Sequence, residues 1–301
     1  MLNLNSDIPI QKIQAPEIDL KGIELYLRRE DLNHPLVSGN KLRKLKYNLE
    51  EAKNQNKDTL LTFGGAFSNH ILATAAAGKE LGMKTIGVIR GEEMLPLNPT
   101  LTDSHSYGMH LAYLDRSSYR NKNEDSLIQS LRDKFGDFYL IPEGGTNALA
   151  LPGVREIMDW EAGTYTHICC PVGTGGTLAG LISGAREGEQ FLGFSALKNA
   201  LSLEEDVRLL SAKEKGCWNI NHEFHFGGYA KAPKTLLDFI LDFEGKFSIP
   251  LEPIYTGKMM WGILDLISKD YFKVGSKILA IHTGGLQGRR GFDYLAKQVS
   301  K

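Results

Sequence analysis

Residues 166–172, Thr-His-Ile-Cys-Cys-Pro-Val, run straight into Gly-Thr-Gly-Gly-Thr at 173–177. A near-continuous apolar strand has both faces covered, as parallel strands do. A glycine turn directly after it opens backbone N–H groups at a helix N-terminus. The same alternation recurs along the chain. Residues 24–28, 59–63, 84–90, 110–114, 138–141, 191–197 and 277–282 read as further strands. Helical patterns start near Lys41 and Asn69 and cover 100–107, 126–134, 202–215, 232–243 and 258–268, whereas 222–234 is irregular. This order predicts an α/β fold with parallel sheets and helices on both faces. A chain of 301 residues is long for one compact core, so two lobes are expected.

Composition narrows the function. The formal net charge of −1 offers no electrostatic case for nucleic acid or an anionic membrane. No apolar run reaches the roughly 18 residues of a membrane span. The first 14 residues are polar and alternating and lack the apolar core of a signal peptide. Cys169, Cys170 and Cys217 form an odd, sparse set that suits a reducing compartment, and the first two read as buried core. A cytoplasmic protein is expected. No cysteine or histidine spacing suggests a metal site.

The glycine turns after strands are the candidate sites, because ligands gather at strand carboxyl ends in such sheets. Gly173-Thr174-Gly175-Gly176-Thr177 can cradle a phosphate. It lacks the Walker pattern, and Leu178 replaces the last glycine of a dinucleotide fingerprint. A small cofactor with a lone phosphate fits better. Gly64-Gly65-Ala66-Phe67-Ser68-Asn69-His70 offers Ser68 and Asn69, either as an anion site or as a plain helix cap. Thr283, before Gly284-Gly285, can bond a ring atom, and the Tyr255 hydroxyl can move a proton. His34, His70, His110 and His282 form no serine–histidine–aspartate triad, and GxSxG is absent.

Lys41 is the candidate amine. It follows Ser38-Gly39-Asn40, where Ser38 and Asn40 are good helix caps. Leu42, Leu45, Leu49 and Ala52 form an apolar stripe. At helical spacing Lys41 lies about 60° from its centre, Lys46 about 80° and Lys44 about 120°. This ranks Lys41 as the most inward of the three.

In chain order, Arg29-Glu30-Asp31-Leu32-Asn33, Gly39-Asn40-Lys41-Leu42-Arg43-Lys44-Leu45, the Gly64–His70 turn, the Gly173–Thr177 turn, Tyr255-Thr256-Gly257-Lys258 and His282-Thr283-Gly284-Gly285 resemble one family. It is the pyridoxal-phosphate enzymes of the tryptophan synthase β fold, fold type II. Within it the resemblance is to the branch of 1-aminocyclopropane-1-carboxylate (ACC) deaminase and D-cysteine desulfhydrase, from residue 24 to 285.

The resemblance implies a two-domain, three-layer α/β/α enzyme carrying pyridoxal 5'-phosphate. The expected larger, cofactor-binding domain is 1–45 with 151–301, and the smaller inserted domain is 46–150. Lys41 would hold the cofactor, its phosphate on Gly173, Thr174, Gly175, Gly176 and Thr177, with Asn69 and Thr283 also at the cofactor. Ser68, Asn69, His70, Tyr229, Tyr255 and Thr256 would meet a small amino-acid substrate. Lys41, Ser68 and Tyr255 would be catalytic. A homodimer is expected.

In the family the ring-nitrogen partner stands at the position of Thr256: it is Glu in the ACC deaminases and Thr in the desulfhydrases, which carry a further Thr at the position of Thr283, where ACC deaminases usually carry Leu. His70, in place of the Gln usual in ACC deaminases, points the same way. A neutral ring partner suits expulsion of a β leaving group such as sulfide. The resemblance therefore favours D-cysteine desulfhydration, with ACC deamination as the alternative. A non-catalytic binding module, or another enzyme of the same fold, is a further option. The chain departs from the family at Ser38, is shorter around 185–230, and matches only loosely at Gly227-Gly228-Tyr229-Ala230-Lys231.

Overall fold

The computed structural model describes residues 2, 5, 7–212 and 217–293. Among these residues ten strands form two sheets. They are β1 (Ile10–Ile13), β2 (Glu24–Arg28), β3 (Thr59–Gly65), β4 (Lys84–Arg90), β5 (Met109–Leu114), β6 (Tyr139–Ile141), β7 (His167–Val172), β8 (Gln190–Ser195), β9 (Trp218–Asn221) and β10 (Lys277–Ile281). The larger sheet has the order β1-β2-β10-β7-β8-β9 and the smaller β5-β4-β3-β6. Every pair is parallel except β1 with β2.

Both faces of the central strands are covered, as their unbroken apolar runs require. In β10, Ile278 and Ala280 enter one core cluster, and Leu279 and Ile281 the other. In β7, Cys169 faces the first, and Ile168, Cys170 and Val172 face the second. Alternate residues point to opposite faces, so two helix layers enclose the sheet. Burying each large aliphatic side chain contributes roughly 1.5–3 kcal/mol.

The strand order positions the site. Although β10 comes last in the sequence, it lies between β2 and β7. The carboxyl ends of these adjacent strands deliver the Lys41 turn, Thr283 and the Gly173–Thr177 turn side by side. In the smaller sheet, β3 delivers Ser68–His70 and β6 delivers residues 143–147.

Some elements differ from expectation. The N-terminal segment forms the edge strand β1, and β9 adds the other edge. Both are short, with little apolar repeat to announce them. The helix expected over 202–215 runs Ser202–Ser211, and 213–215 lie outside the described residues. The Lys41 helix, Asn40–Asn54, is not capped by Ser38 or Asn40. Its N-cap is Gly39, at φ 76°. A Cβ there would stand 2.0 Å from the Thr283 carbonyl oxygen, so only glycine admits this approach. Among the described residues no helix is long and apolar enough to cross a membrane.

Candidate active site

The Lys41 turn is held by buried charge. Glu30 is fully buried and accepts hydrogen bonds from Arg28 Nε at 2.9 Å, Arg43 Nε at 3.0 Å and Asn33 Nδ2 at 3.0 Å. The Glu30 carbonyl accepts from Gly39 N–H, and the Thr283 carbonyl accepts from Asn40 N–H. Such a buried network tolerates no missing member, because each lost partner strands a desolvated charge. It fixes where Lys41 leaves the backbone.

Lys41 lines a cavity of about 280 Å³. Its Nζ donates to Asn40 Oδ1 at 3.0 Å. Burial lowers the ammonium to about 8, with the Glu252 charge opposing. The neutral, nucleophilic amine is thus far more accessible near neutral pH than on an ordinary lysine, although the ammonium still predominates below pH 8.

Lys44 also lines this cavity and is the more buried, at 2% exposure, which corrects the inward ranking from helical angle. The stripe recorded only one covered face. The Ala150–Arg155 helix covers a second, through Gly153, whose Cβ would stand 2.0 Å from the Arg43 carbonyl oxygen. Lys44 Nζ donates to the Gly144 carbonyl at 2.9 Å and Thr146 Oγ1 at 2.8 Å. Burial first, then the Lys41 charge, holds its ammonium well below the ordinary value.

These bonds aim Lys44 at the glycine turn. Gly175 adopts φ 77°, and a Cβ on Gly176 would stand 2.8 Å from Lys44 Nζ and 2.7 Å from Thr146 Oγ1. The helix that follows, Gly176–Ser183, has no side-chain cap. Thr177 Oγ1 accepts from Asn40 Nδ2 at 2.7 Å, so its own proton can go to a ligand. Open helix N–H groups, a hydroxyl and an ammonium make a donor set for phosphate.

Across the cavity, Ser68 is the N-cap of the Asn69–Leu81 helix. Its Oγ accepts from the N–H groups of His70 at 3.2 Å and Ile71 at 3.4 Å, which leaves its proton to donate. Asn69 Oδ1 accepts from Gln287 Nε2 at 2.7 Å, so its amide NH₂ is the end left for an acceptor. Both therefore suit a carboxylate or a ring oxygen.

His70 does not. The Thr62 hydroxyl donates to the Ile141 carbonyl at 2.8 Å, so its oxygen accepts from His70 Nε2–H at 2.8 Å. Nδ1 then carries a lone pair, without a hydrogen-bond partner. Burial and the two lysines keep the ring neutral. His70 lines the cavity, but its ring accepts rather than donates.

Tyr229, Tyr255 and Thr283 also line the cavity. The tyrosine rings meet edge to face, 6.1 Å between centroids. Burial raises both phenols, so they are neutral proton donors. Gly173 admits Tyr255, since a Cβ there would lie 3.1 Å from the phenol oxygen. Thr256 stands apart. It is fully buried, does not line the cavity, and its hydroxyl accepts from Glu252 N–H at 3.0 Å. The expectation that Thr256 meets substrate is corrected, because that hydroxyl caps a turn.

Glu252 was not anticipated. It is fully buried and accepts from the N–H groups of Ile254, Tyr255 and Thr256 at 2.7, 2.7 and 2.6 Å. It locks the backbone that carries Tyr255. Its sequence signal, an acid before Pro253 at the head of a helix, is an ordinary cap pattern.

A lowered amine and a glycine turn with open helix N–H groups, lining one cavity, suit an α/β enzyme with a phosphate-bearing carbonyl cofactor. A family model described as pyridoxal-phosphate dependent enzyme matches residues 3–284, and the chain belongs to that family. Its cofactor is pyridoxal 5'-phosphate, and its architecture is that of the fold type II enzymes. A Pyrococcus abyssi protein is 31% identical over 300 residues, covering 94% of this chain and 90% of its own. An Arabidopsis thaliana protein is 30% identical, covering 93% of this chain and 76% of its own. It is named a bifunctional, mitochondrial D-cysteine desulfhydrase/1-aminocyclopropane-1-carboxylate deaminase. A crystal structure described as that of an ACC deaminase homologue superposes with a TM-score of 0.82 at 29% identity, covering 99% of this chain and 94% of its own.

Proposed function

We propose that this enzyme eliminates the β-substituent of D-cysteine, releasing sulfide, ammonia and pyruvate. The observation that carries the reading is Thr283. It lines the cavity near Lys41 and offers a neutral hydroxyl, whereas the nearby acid Glu252 is engaged by backbone N–H groups and lies outside the cavity lining. When bound, the cofactor supplies the carbonyl that condenses with amines and the sink for the electrons of the broken Cα–H bond.

The chain's own residues do the rest in this reading. The Gly173–Thr177 turn and Lys44 hold the phosphate. Lys41 would hold the cofactor's carbonyl end, and its amine would serve as the base for the Cα proton. Lys41 is preferred to Lys44 for this role because Lys44 is tied to a carbonyl and a hydroxyl, whereas Lys41 has one acceptor in Asn40. Ser68 and Asn69 donate to the substrate carboxylate, and the Asn69 NH₂ is also suited to the cofactor's ring oxygen. His70, buried at the cavity wall, shapes the substrate side through its neutral ring. Tyr255, with Tyr229 beside it, donates the proton that the leaving group takes up.

The name of the Arabidopsis relative supports a second reading, ACC deamination, in which Ser68 assists ring opening. Parallel assays with D-cysteine, L-cysteine, D-serine and ACC separate the two. Sulfide and pyruvate from D-cysteine are expected. 2-Oxobutyrate from ACC without sulfide from cysteine overturns the first reading.

The lobes follow the sheets in this reading, with 1–45 and 151–301 carrying the cofactor and 46–150 inserted. Limited proteolysis between the sheets tests this division. Free thiols at Cys169, Cys170 and Cys217 support a cytoplasmic location, which fractionation tests, and sedimentation tests the homodimer.

A further inference from the structure

The Thr256–Ser268 helix carries, at steps of three, Tyr255 at its N-cap, then Lys258, then Trp261. Residues this far apart share one helix face. All three touch the irregular segment that carries Tyr229. Tyr255 meets Tyr229, and Trp261 meets Phe226 edge to face with centroids 5.4 Å apart. Between them Lys258, 1% exposed, donates from Nζ to the carbonyls of His225 and Gly228, both at 2.8 Å.

The segment needs such a hold. Phe226, Gly227, Gly228 and Ala230 have φ of 51°, 91°, 113° and 56°, so the chain bends through left-handed backbone on both sides of Tyr229. Such conformations persist only where surrounding contacts impose them. The segment's own turn bonds are local, from Gly227 N–H to His225 Nδ1, Gly228 N–H to the His225 carbonyl and Lys231 N–H to the Gly228 carbonyl; the two Lys258 bonds tie the bend to the helix. Removing the ammonium takes the charged donor from both carbonyls and leaves each with one backbone N–H, from Gly228 at 3.0 Å and from Lys231 at 3.2 Å.

We propose that Lys258 is a positioning residue. It touches neither substrate nor cofactor, and through the His225 and Gly228 carbonyls it sets where Tyr229 stands over the cavity. The proposal rests on the reading of Tyr229 as a residue on the substrate side.

The test uses cofactor-loaded protein and two measurements. Hydrogen exchange followed by mass spectrometry reads the 222–231 segment without turnover, and D-cysteine kinetics read the consequence. K258M is expected to speed exchange in that segment about tenfold or more. It is also expected to lower kcat/KM by about tenfold to a hundredfold. Bound cofactor per chain stays unchanged. In a Y229A background the kinetic loss from K258M disappears, because both changes act on one element. K258Q keeps an uncharged NH₂ donor, gives smaller changes in the same direction, and replaces K258M if that protein does not fold. Unchanged exchange, or a kinetic loss that multiplies with that of Y229A, overturns the proposal. If Y229A alone turns over D-cysteine normally, the reading of Tyr229 fails, and the exchange result by itself decides for or against Lys258.

Discussion

The two ends of the cavity are built from different material. The end proposed for phosphate is backbone, made of glycines that leave helix N–H groups open, with Lys44 held against them by a carbonyl and a hydroxyl. The tyrosine end is side chain, two phenols carried by a helix cap and by a bent loop that Lys258 holds. A backbone site must have glycine at set offsets from a strand, because a Cβ would fill it. A side-chain site has no such requirement, since many loops can bring a ring to one point. The first kind of site leaves a pattern in the sequence, and the second leaves almost none.

The comparison can be broken most directly at the amine between the two ends. K41A is expected to abolish the visible absorbance of bound cofactor and to lower turnover by more than about a thousandfold. Borohydride labelling recovered on Lys44 in the wild-type protein would sink the assignment of Lys44 to phosphate. At the phosphate end, K44M is expected to weaken cofactor binding by about tenfold to a hundredfold, the worth of a charge-assisted hydrogen bond. Titration of apoprotein measures it, and the preference for D-cysteine over D-serine is expected to stay.

The pH dependence of cofactor capture tests the burial of Lys41. Its ammonium is lowered to about 8 by burial, so it is protonated below that pH and neutral above. Only the neutral amine attacks a carbonyl. The rate of attachment to apoprotein is therefore expected to rise about tenfold per pH unit up to roughly pH 8 and then level off. Stopped-flow absorbance follows it, and a rise that continues to pH 10 contradicts a buried amine. At the tyrosine end, Y255F is expected to lower kcat about tenfold with little change in cofactor affinity. The smallest effect is expected for T256V. Its hydroxyl serves Glu252 rather than the cavity, so about 1 kcal/mol of stability is lost with kinetics unchanged. A changed kcat/KM for T256V would restore Thr256 to the substrate side.

Much of the architecture was legible because apolar runs and glycine turns alternate strictly. The strands over 24–28, 84–90 and 277–282 appear almost where the pattern places them. β1 and β9 were not legible, because edge strands of four residues need little apolar repeat. Lys41, Ser68, Asn69, the Gly173–Thr177 turn and Thr283 were legible from their turns, and the structure brings them to one cavity. Lys44 was misjudged because helical angle counts apolar side chains, whereas the second covered face was made by the backbone approach at Gly153. Glu252 was missed because burial, the property that matters, is not written in its neighbours.

The sequence by itself determined a parallel α/β fold and an open glycine turn after its central strand, because a strand covered on both faces and a turn without Cβ atoms each demand particular residues at particular spacings. Only the tertiary structure decided which lysine faces the cradle, which nitrogen of His70 is bare, and that Thr256 turns away while Thr283 does not. Those outcomes depend on strands and helices far apart in the chain, brought together when β10 inserts between β2 and β7, and no local spacing encodes that order.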